Sequence, residues 1–264
     1  MIKNTRIGVL ISGGGTNMQA IVRACKAGQI DGKVVFVGSD NPSAKGLKYA
    51  DIKGKQYFVV DYKKIITKLN EQGEKFSLDL TPKDVNLLEV FHKSRSIIPK
   101  KIDNTDAAFF WLLKRVMAER ELLKAMEKFS FDLLVLAGFM RNLSSYFIDR
   151  VNSDSENPRI MNIHPALLPA FSGTDGYGDT YRYGCKVGGC TVHFVDYGED
   201  TGPIIGQRAF PINEEDDIDA VIERGLQLEY QLYPECIQLF AEGRLSLETV
   251  KQSDGSVRKV VKTL

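Results

Sequence analysis

The sequence predicts an α/β fold, a doubly wound and mostly parallel sheet with helices on both faces. Three observations predict it. A short apolar run at 6–11 leads through glycines into a helical pattern at 18–25 and a second run at 32–38, which is the opening βαβ of such a sheet. Of two later runs, 131–137 reads as another buried strand and 159–164 as a further strand. Helical patterns separate or follow these runs rather than clustering at one end.

Taken in order, Ile7-Gly8-Val9-Leu10-Ile11 is the first strand, and Ser12-Gly13-Gly14-Gly15-Thr16-Asn17 the turn after it. Residues 57–104 carry many lysines, with Pro82 and Pro99 as breakers, and read as a helical, solvated excursion that places His92 in solvent. From 107 to 129, Phe110, Leu113, Val116 and Met117 recur on one helical face, with Leu122, Leu123 and Met126 beyond them. Gly138 ends the strand at 131–137, and Pro165 ends the one at 159–164. The stretch 173–189 holds six glycines among Tyr177, Tyr181 and Tyr183, and reads as a mobile loop. Strands follow at 190–195 and 203–210, then a long helix at 218–240, and a tail from 243 able to form a strand pair.

At 264 residues the chain suits one large domain, here expected to span 1–264. Thirty-five basic and 34 acidic side chains leave a formal charge of +1, so a broad footprint for nucleic acid is absent. No apolar run approaches the ~20 residues of a membrane span, and the N-terminus lacks a secretory pattern, so a cytoplasmic enzyme is expected. The four cysteines are too few and scattered for a disulfide scaffold. Cys185, Cys190 and His193 lack a fourth ligand, so no metal is expected.

Glycines between a strand and a helix let backbone N–H groups approach an anion, and the helix N-terminus adds positive potential. Here Thr16 and Asn17 stand where they can cap the helix and donate hydrogen bonds. Met18 occupies the third-glycine position of a dinucleotide fingerprint, and the Walker A lysine is missing. A phosphate monoester on a small substrate fits better; a plain tight turn is the alternative. Asn162 and His164, two apart on a strand, project to the same face at its end, where open α/β sheets place their ligands. An amide beside an imidazole suits a reaction that builds negative charge on a carbonyl oxygen. Both side chains have an alternative use in satisfying loop backbone groups. His193, inside a strand pattern, reads as a half-buried structural histidine. Asp196, Glu199 and Asp200 precede Thr201-Gly202-Pro203, a turn able to return a carboxylate toward His164.

Together, 9–17, 135–141, Asn162-Ile163-His164-Pro165-Ala166-Leu167-Leu168-Pro169, 192–195 and 200–203 resemble, in order and spacing, the phosphoribosylglycinamide formyltransferase family of purine synthesis. The resemblance implies a Rossmann-like N-terminal half that binds phosphate and a C-terminal half that binds folate and carries the catalytic groups. It implies transfer of the formyl group of 10-formyltetrahydrofolate, as co-substrate, to the amine of glycinamide ribonucleotide. By the same resemblance Asn162 and His164 would hold the oxygen of a tetrahedral intermediate, with Asp200 assisting. Gly15, Thr16, Asn17 and Glu229 would bind the ribonucleotide. Arg115, Met140, Arg141, Asn142 and Leu143, together with Asn162, would meet the folate. Small molecules are the implied partners, to a monomer or homodimer. Two departures stand out: 54–105 is longer than the usual family connection, and the loop after Pro169 lacks the family's histidines. A formyltetrahydrofolate deformylase uses the same chemistry with water as acceptor, but that family usually adds an N-terminal domain ahead of the catalytic sheet. A formyltransferase acting on another phosphorylated amine is the other alternative.

Overall fold

A computed structural model describes residues 4–71, 82–154 and 156–264. Its main sheet has seven strands in the order β3-β2-β1-β4-β5-β6-β7. They are β1 (Thr5–Ile11), β2 (Gly32–Ser39), β3 (Tyr57–Val59), β4 (Leu133–Leu136), β5 (Ile160–His164), β6 (Val187–Phe194) and β7 (Ile204–Pro211). The pairs from β3 to β5 are parallel, while β5–β6 and β6–β7 are antiparallel. The chain runs outward from β1 through β2 to β3, then returns to lay β4 on the other flank of β1. That reversal opens a crevice at the carboxyl ends of β1 and β4, the usual ligand position in open α/β sheets.

Side chains alternate between the two faces of the parallel strands. Ile7, Val9 and Ile11 of β1, with Leu133 and Val135 of β4, join a core that includes Met18 and Ile21 of α1 (Thr16–Lys26) and Leu232, Tyr233 and Ile237 of α8 (Ile218–Ala241). Leu10, Leu134 and Leu136 face the opposite way. They meet Leu122 and Met126 of α5 (Thr105–Met126) and Phe147 of α6 (Ser145–Val151). The predicted apolar runs are thus strands buried on both faces. Side-chain oxygens of Asn104 and Asp217 accept from Ala107 N at 3.1 Å and Ala220 N at 2.8 Å, starting the two long helices.

The structure corrects two expectations. The described part of 57–104 holds helices, as expected, but is not solvated throughout: Tyr57–Val59 pairs with β2, and α3 (Tyr62–Glu71) follows. Leu87, Val90 and Phe91 of α4 (Leu87–Lys93) then bury against Phe110, Leu112 and Leu113 of α5. Within that excursion, 72–81 lie outside the described residues. His92 is exposed, as expected. The glycine-tyrosine stretch contains α7 (Gly176–Arg182), whose Tyr177 and Thr180 are buried. Its glycines serve close packing: a Cβ on Gly176 would stand 2.6 Å from the Pro165 carbonyl oxygen. The strand pair in the tail is present as β8 (Leu245–Lys251) and β9 (Val257–Thr263). Helices α2 (Lys45–Ile52) and α6 are short, and the sequence pattern did not announce them.

The Tyr233 hydroxyl lies 3.0 Å from the carbonyl oxygens of both Leu136 and Met161, at the ends of β4 and inside β5. It ties α8 to the strands beneath the crevice. Tyr233→Phe removes that donor inside a closed core and should lower unfolding free energy by about 1–2 kcal/mol in urea titrations; an unchanged midpoint would show that the bond contributes nothing.

Candidate active site

A cavity of about 600 Å³ opens at the crevice and is lined by residues from both halves of the chain. At one part of it, the turn after β1 delivers Gly15 in left-handed backbone (φ 69°) as the first residue before α1. Gly15 and Gly46 of α2 press together, so a Cβ on Gly15 would lie 3.1 Å from Gly46 Cα. Glycine is required there by conformation and by space. The expected side-chain cap is not made: neither Thr16 nor Asn17 caps α1. Asn17 instead donates to Glu229 of α8 at 2.6 Å, and the Tyr177 hydroxyl donates to the other Glu229 oxygen at 2.7 Å. Burial raises the Glu229 carboxyl above its ordinary range, and those two donors oppose the shift. The Oδ1 of Asn17 is buried without a partner among the described residues.

Asn162 and His164 leave β5 on the same face, as their spacing requires, and both line the cavity. Asp200 reaches them from the turn after β6. Its Oδ2 lies 3.2 Å from His164 Nδ1 and accepts from Gly173 N at 2.9 Å. Its backbone is left-handed (φ 55°). Gly202 makes the return possible, since a Cβ there would sit 1.8 Å from the Phe194 carbonyl oxygen. His164 Nε2 faces the Phe171 carbonyl oxygen at 2.8 Å. Both ring nitrogens therefore face acceptor oxygens.

His193 is hydrogen-bonded, as expected from its strand, but fully buried where half-burial was expected. It pairs directly across from Asn162 in the β5–β6 register, is 2% exposed, and lines the cavity. Its Nε2 lies 3.2 Å from Asn162 Nδ2 and 3.6 Å from Asp200 Oδ1, while Nδ1 lies 2.9 Å from the Phe194 carbonyl oxygen. The Asn162 amide has a second N–H besides the one beside His193 Nε2. Burial alone raises the Asp200 carboxyl; the His193 ring and the charge of His164 outweigh it and hold Asp200 below the ordinary carboxylate range.

The segment after β4 forms the remaining wall. Met140 N donates to Ser12 Oγ at 2.9 Å, joining it to the glycine turn. The Arg141 guanidinium pairs with buried Asp40 at 2.6 Å. Asn142 donates to Glu199 at 2.9 Å and accepts from Arg115 through its backbone carbonyl. Arg115 has the Trp111 ring 4.6 Å from its guanidinium carbon. Leu143 is buried, while Met140 stands 57% exposed on the cavity. Beneath them, fully buried Glu119 accepts from Ser144 N and Ser144 Oγ. Tyr177, His193 and Glu119 are functional-looking neighbours that sequence reading missed. Only the phase of His193 within its strand hinted at any of them. Among the described residues, no group of three or more His, Cys, Asp or Glu side chains is arranged to hold a metal ion, and no helix is long and apolar enough to cross a membrane.

An open α/β sheet with an amide, two imidazoles and a carboxylate around a cleft has the makings of an acyl-group transferase. The formyl transferase family model matches residues 5–237, and the chain belongs to that family. It is 31% identical to phosphoribosylglycinamide formyltransferase of Bacillus subtilis, over 88% of this chain and 93% of that protein. It is 30% identical to the trifunctional purine biosynthetic protein adenosine-3 of Bos taurus, but spans only 19% of that longer protein. Among solved structures, glycinamide ribonucleotide transformylase 1 of Symbiobacterium toebii superposes with a TM-score of 0.68 at 32% identity, covering 100% of this chain and 96% of that one. A formyltetrahydrofolate deformylase of Pseudomonas syringae, 16% identical, shares the fold with a TM-score of 0.67 over 99% of this chain and 66% of that one.

Burial pushes the Glu119 carboxyl from 4.5 up to about 7, against the opposing effects of Arg115 and Ser144. A carboxyl raised on folding favours the folded state fully below its unfolded value and loses that contribution as pH rises through the folded one. Stability attributable to Glu119 should therefore fall between about pH 4.5 and 7. Glu119→Gln should flatten that part of the curve when unfolding is followed at pH 5 and pH 8; parallel curves for parent and variant would contradict it.

Proposed function

We propose that the chain transfers the formyl group of 10-formyltetrahydrofolate to the amine of 5′-phosphoribosylglycinamide, and that 1–264 acts as one catalytic unit. The observation that carries this reading is the contact of Asp200 with both His164 and His193 at the end of β5, beside the Asn162 amide. The names of the relatives that the chain matches over most of their length support the choice of substrates.

The substrate amine is itself the nucleophile, so no covalent enzyme intermediate is needed. As it attacks the formyl carbon, charge gathers on the formyl oxygen. The second N–H of Asn162 donates to that oxygen, and the His164 ring, exchanging the Phe171 carbonyl for the oxyanion, donates beside it. Asp200, in contact with the His164 ring, takes part in moving the proton from the attacking amine toward the departing folate nitrogen. Gly15, Thr16 and Asn17 offer the N-terminus of α1 to the phosphate. Glu229, held between Asn17 and Tyr177, accepts from the ribonucleotide's polar groups. Arg115, Met140, Arg141, Asn142, Leu143 and Asn162 receive the folate.

Formyl transfer followed by absorbance, with and without glycinamide ribonucleotide, tests the reading. Acceptor-dependent release of tetrahydrofolate is expected. Release at the same rate without acceptor would replace the transferase with a deformylase. His164→Ala and Asp200→Asn should each lower kcat by about 10²–10³-fold with little change in ligand affinity; near-normal turnover in both variants would sink the mechanism.

A further inference from the structure

The loop after Pro169 departs from the family pattern, and it supplies a residue of its own to the cavity. Tyr177, on the first turn of α7, is 5% exposed and lines the cavity with Asn17 and Glu229. Its ring is fixed from several sides. It packs on Phe210 at 6.2 Å between centroids and fills the gap at Gly225, where a Cβ would lie 2.2 Å from the ring carbon Cζ. Helix α7 is itself anchored just after β5, since Gly176 presses on the Pro165 carbonyl and accepts from Thr180 Oγ at 2.7 Å. The tyrosine hydroxyl is thereby delivered to Glu229 Oε1 at 2.7 Å, while the Asn17 amide takes Oε2 at 2.6 Å.

Glu229 is a buried carboxyl without a cation. Among the described residues, these two neutral donors alone oppose the effect of its burial, and no Lys, Arg or His acts on it. The titratable groups that face it are Tyr177 on α7, Cys190 on β6 and Tyr233 on its own helix. Burial raises all three, so none is charged at neutral pH. Helix α1 contributes the neutral Asn17, and Arg208 of β7 acts on Cys190 but pairs with Glu235 at 2.6 Å. The direction and charge of this carboxylate therefore depend on the hydrogen bonds it accepts. Each of its oxygens keeps a further lone pair, so the two donors orient the group without exhausting it. We propose that Tyr177 is a positioning residue for the acceptor: its hydroxyl holds Glu229 in place, and through Glu229 it sets acceptor affinity. The identity of the acceptor rests on the function proposed above, while the hold on Glu229 rests on the packing of α7 against α8.

Tyr177→Phe keeps the ring and deletes the hydroxyl. It should raise KM for glycinamide ribonucleotide about tenfold, the scale of one lost hydrogen bond to a charged group, with kcat and KM for 10-formyltetrahydrofolate in place. Losing one of two donors raises the Glu229 carboxyl further. As pH falls, the acceptor KM of the variant should therefore begin to climb about one pH unit before that of the parent. Gly225→Ala, which drives a methyl into the Tyr177 ring, should reproduce the rise with the hydroxyl still present. Tyr181→Phe removes a hydroxyl of the same helix that donates to the Asp216 carbonyl, and should change neither KM. An unchanged acceptor KM in Tyr177→Phe, or a rise shared by the donor KM or by Tyr181→Phe, would overturn the proposal. Carboxyl-carbon NMR of glutamate-labelled protein, with Glu229 assigned through Glu229→Gln, reads the hold without turnover. If the parent transfers no formyl group, that titration decides alone. An identical Glu229 titration in parent and Tyr177→Phe overturns the hold, and an upward move in the variant leaves it standing without the proposed activity.

Discussion

Asp200 sits in left-handed backbone between two imidazoles on neighbouring strands, and several separate features of the chain are needed to keep it there. The antiparallel register of β5 and β6 sets His193 opposite Asn162 and two residues along from the level of His164. Gly202 lets the turn pass within contact of the Phe194 carbonyl, where any side chain would collide. Gly173 supplies a backbone donor to the same carboxylate oxygen that faces His164. A buried carboxylate with fewer partners would take up a proton; here the surrounding positive charge and donors keep it ionised. Its pKa lies below the ordinary range, so the stability it contributes is present above the unfolded value near 3.8 and is lost only as pH falls beneath that.

A second constraint runs through the crevice. The turn after β1 and the segment after β4 meet because β1 and β4 are adjacent parallel strands, and they are joined directly by the bond from Met140 N to Ser12 Oγ. Around this junction, buried carboxyls stand beside half-buried guanidiniums: Asp40 with Arg141, and Glu119 beside Arg115. Such pairs contribute little net stability against apolar replacements of the same shape, and their usual return is fixed geometry. Here they hold the backbone of 140–144 from below. The exposed face of Met140 is left turned to the cavity, which Asn162 also lines.

The segment 87–111 shows how a long connection can become part of a site without carrying any recognisable motif. Its lysines and prolines suggested a solvated excursion. Its apolar residues Leu87, Val90 and Phe91 instead close a third core against α5 and α6. Burial of this kind follows from pairing with an existing apolar helix face, which the local pattern of charges does not reveal. The same reasoning covers the glycine-tyrosine stretch. Tyr177 is held by Val221 and Phe210 and by the space that Gly225 leaves for its ring, so that residues distant in the chain turn a flexible-looking sequence into α7.

Sequence by itself determined the elements whose signals are local. The short apolar runs fixed the buried parallel strands, the glycines after β1 the left-handed start of α1, and the i, i+2 spacing the common face of Asn162 and His164. The turn signal at Thr201-Gly202-Pro203 marked the return that brings Asp200 to His164. Tertiary structure alone decided everything that depends on a register or a packing partner. His193 joined the site because β6 runs antiparallel in one particular register, and a slip by one residue would have turned its ring to the other face. Asn17 gave up capping α1 to bind Glu229, 212 residues away, because α8 crosses α1 at that point. Pairings across such separations leave no periodic trace in the chain, since nothing in a local window records which distant element will lie opposite.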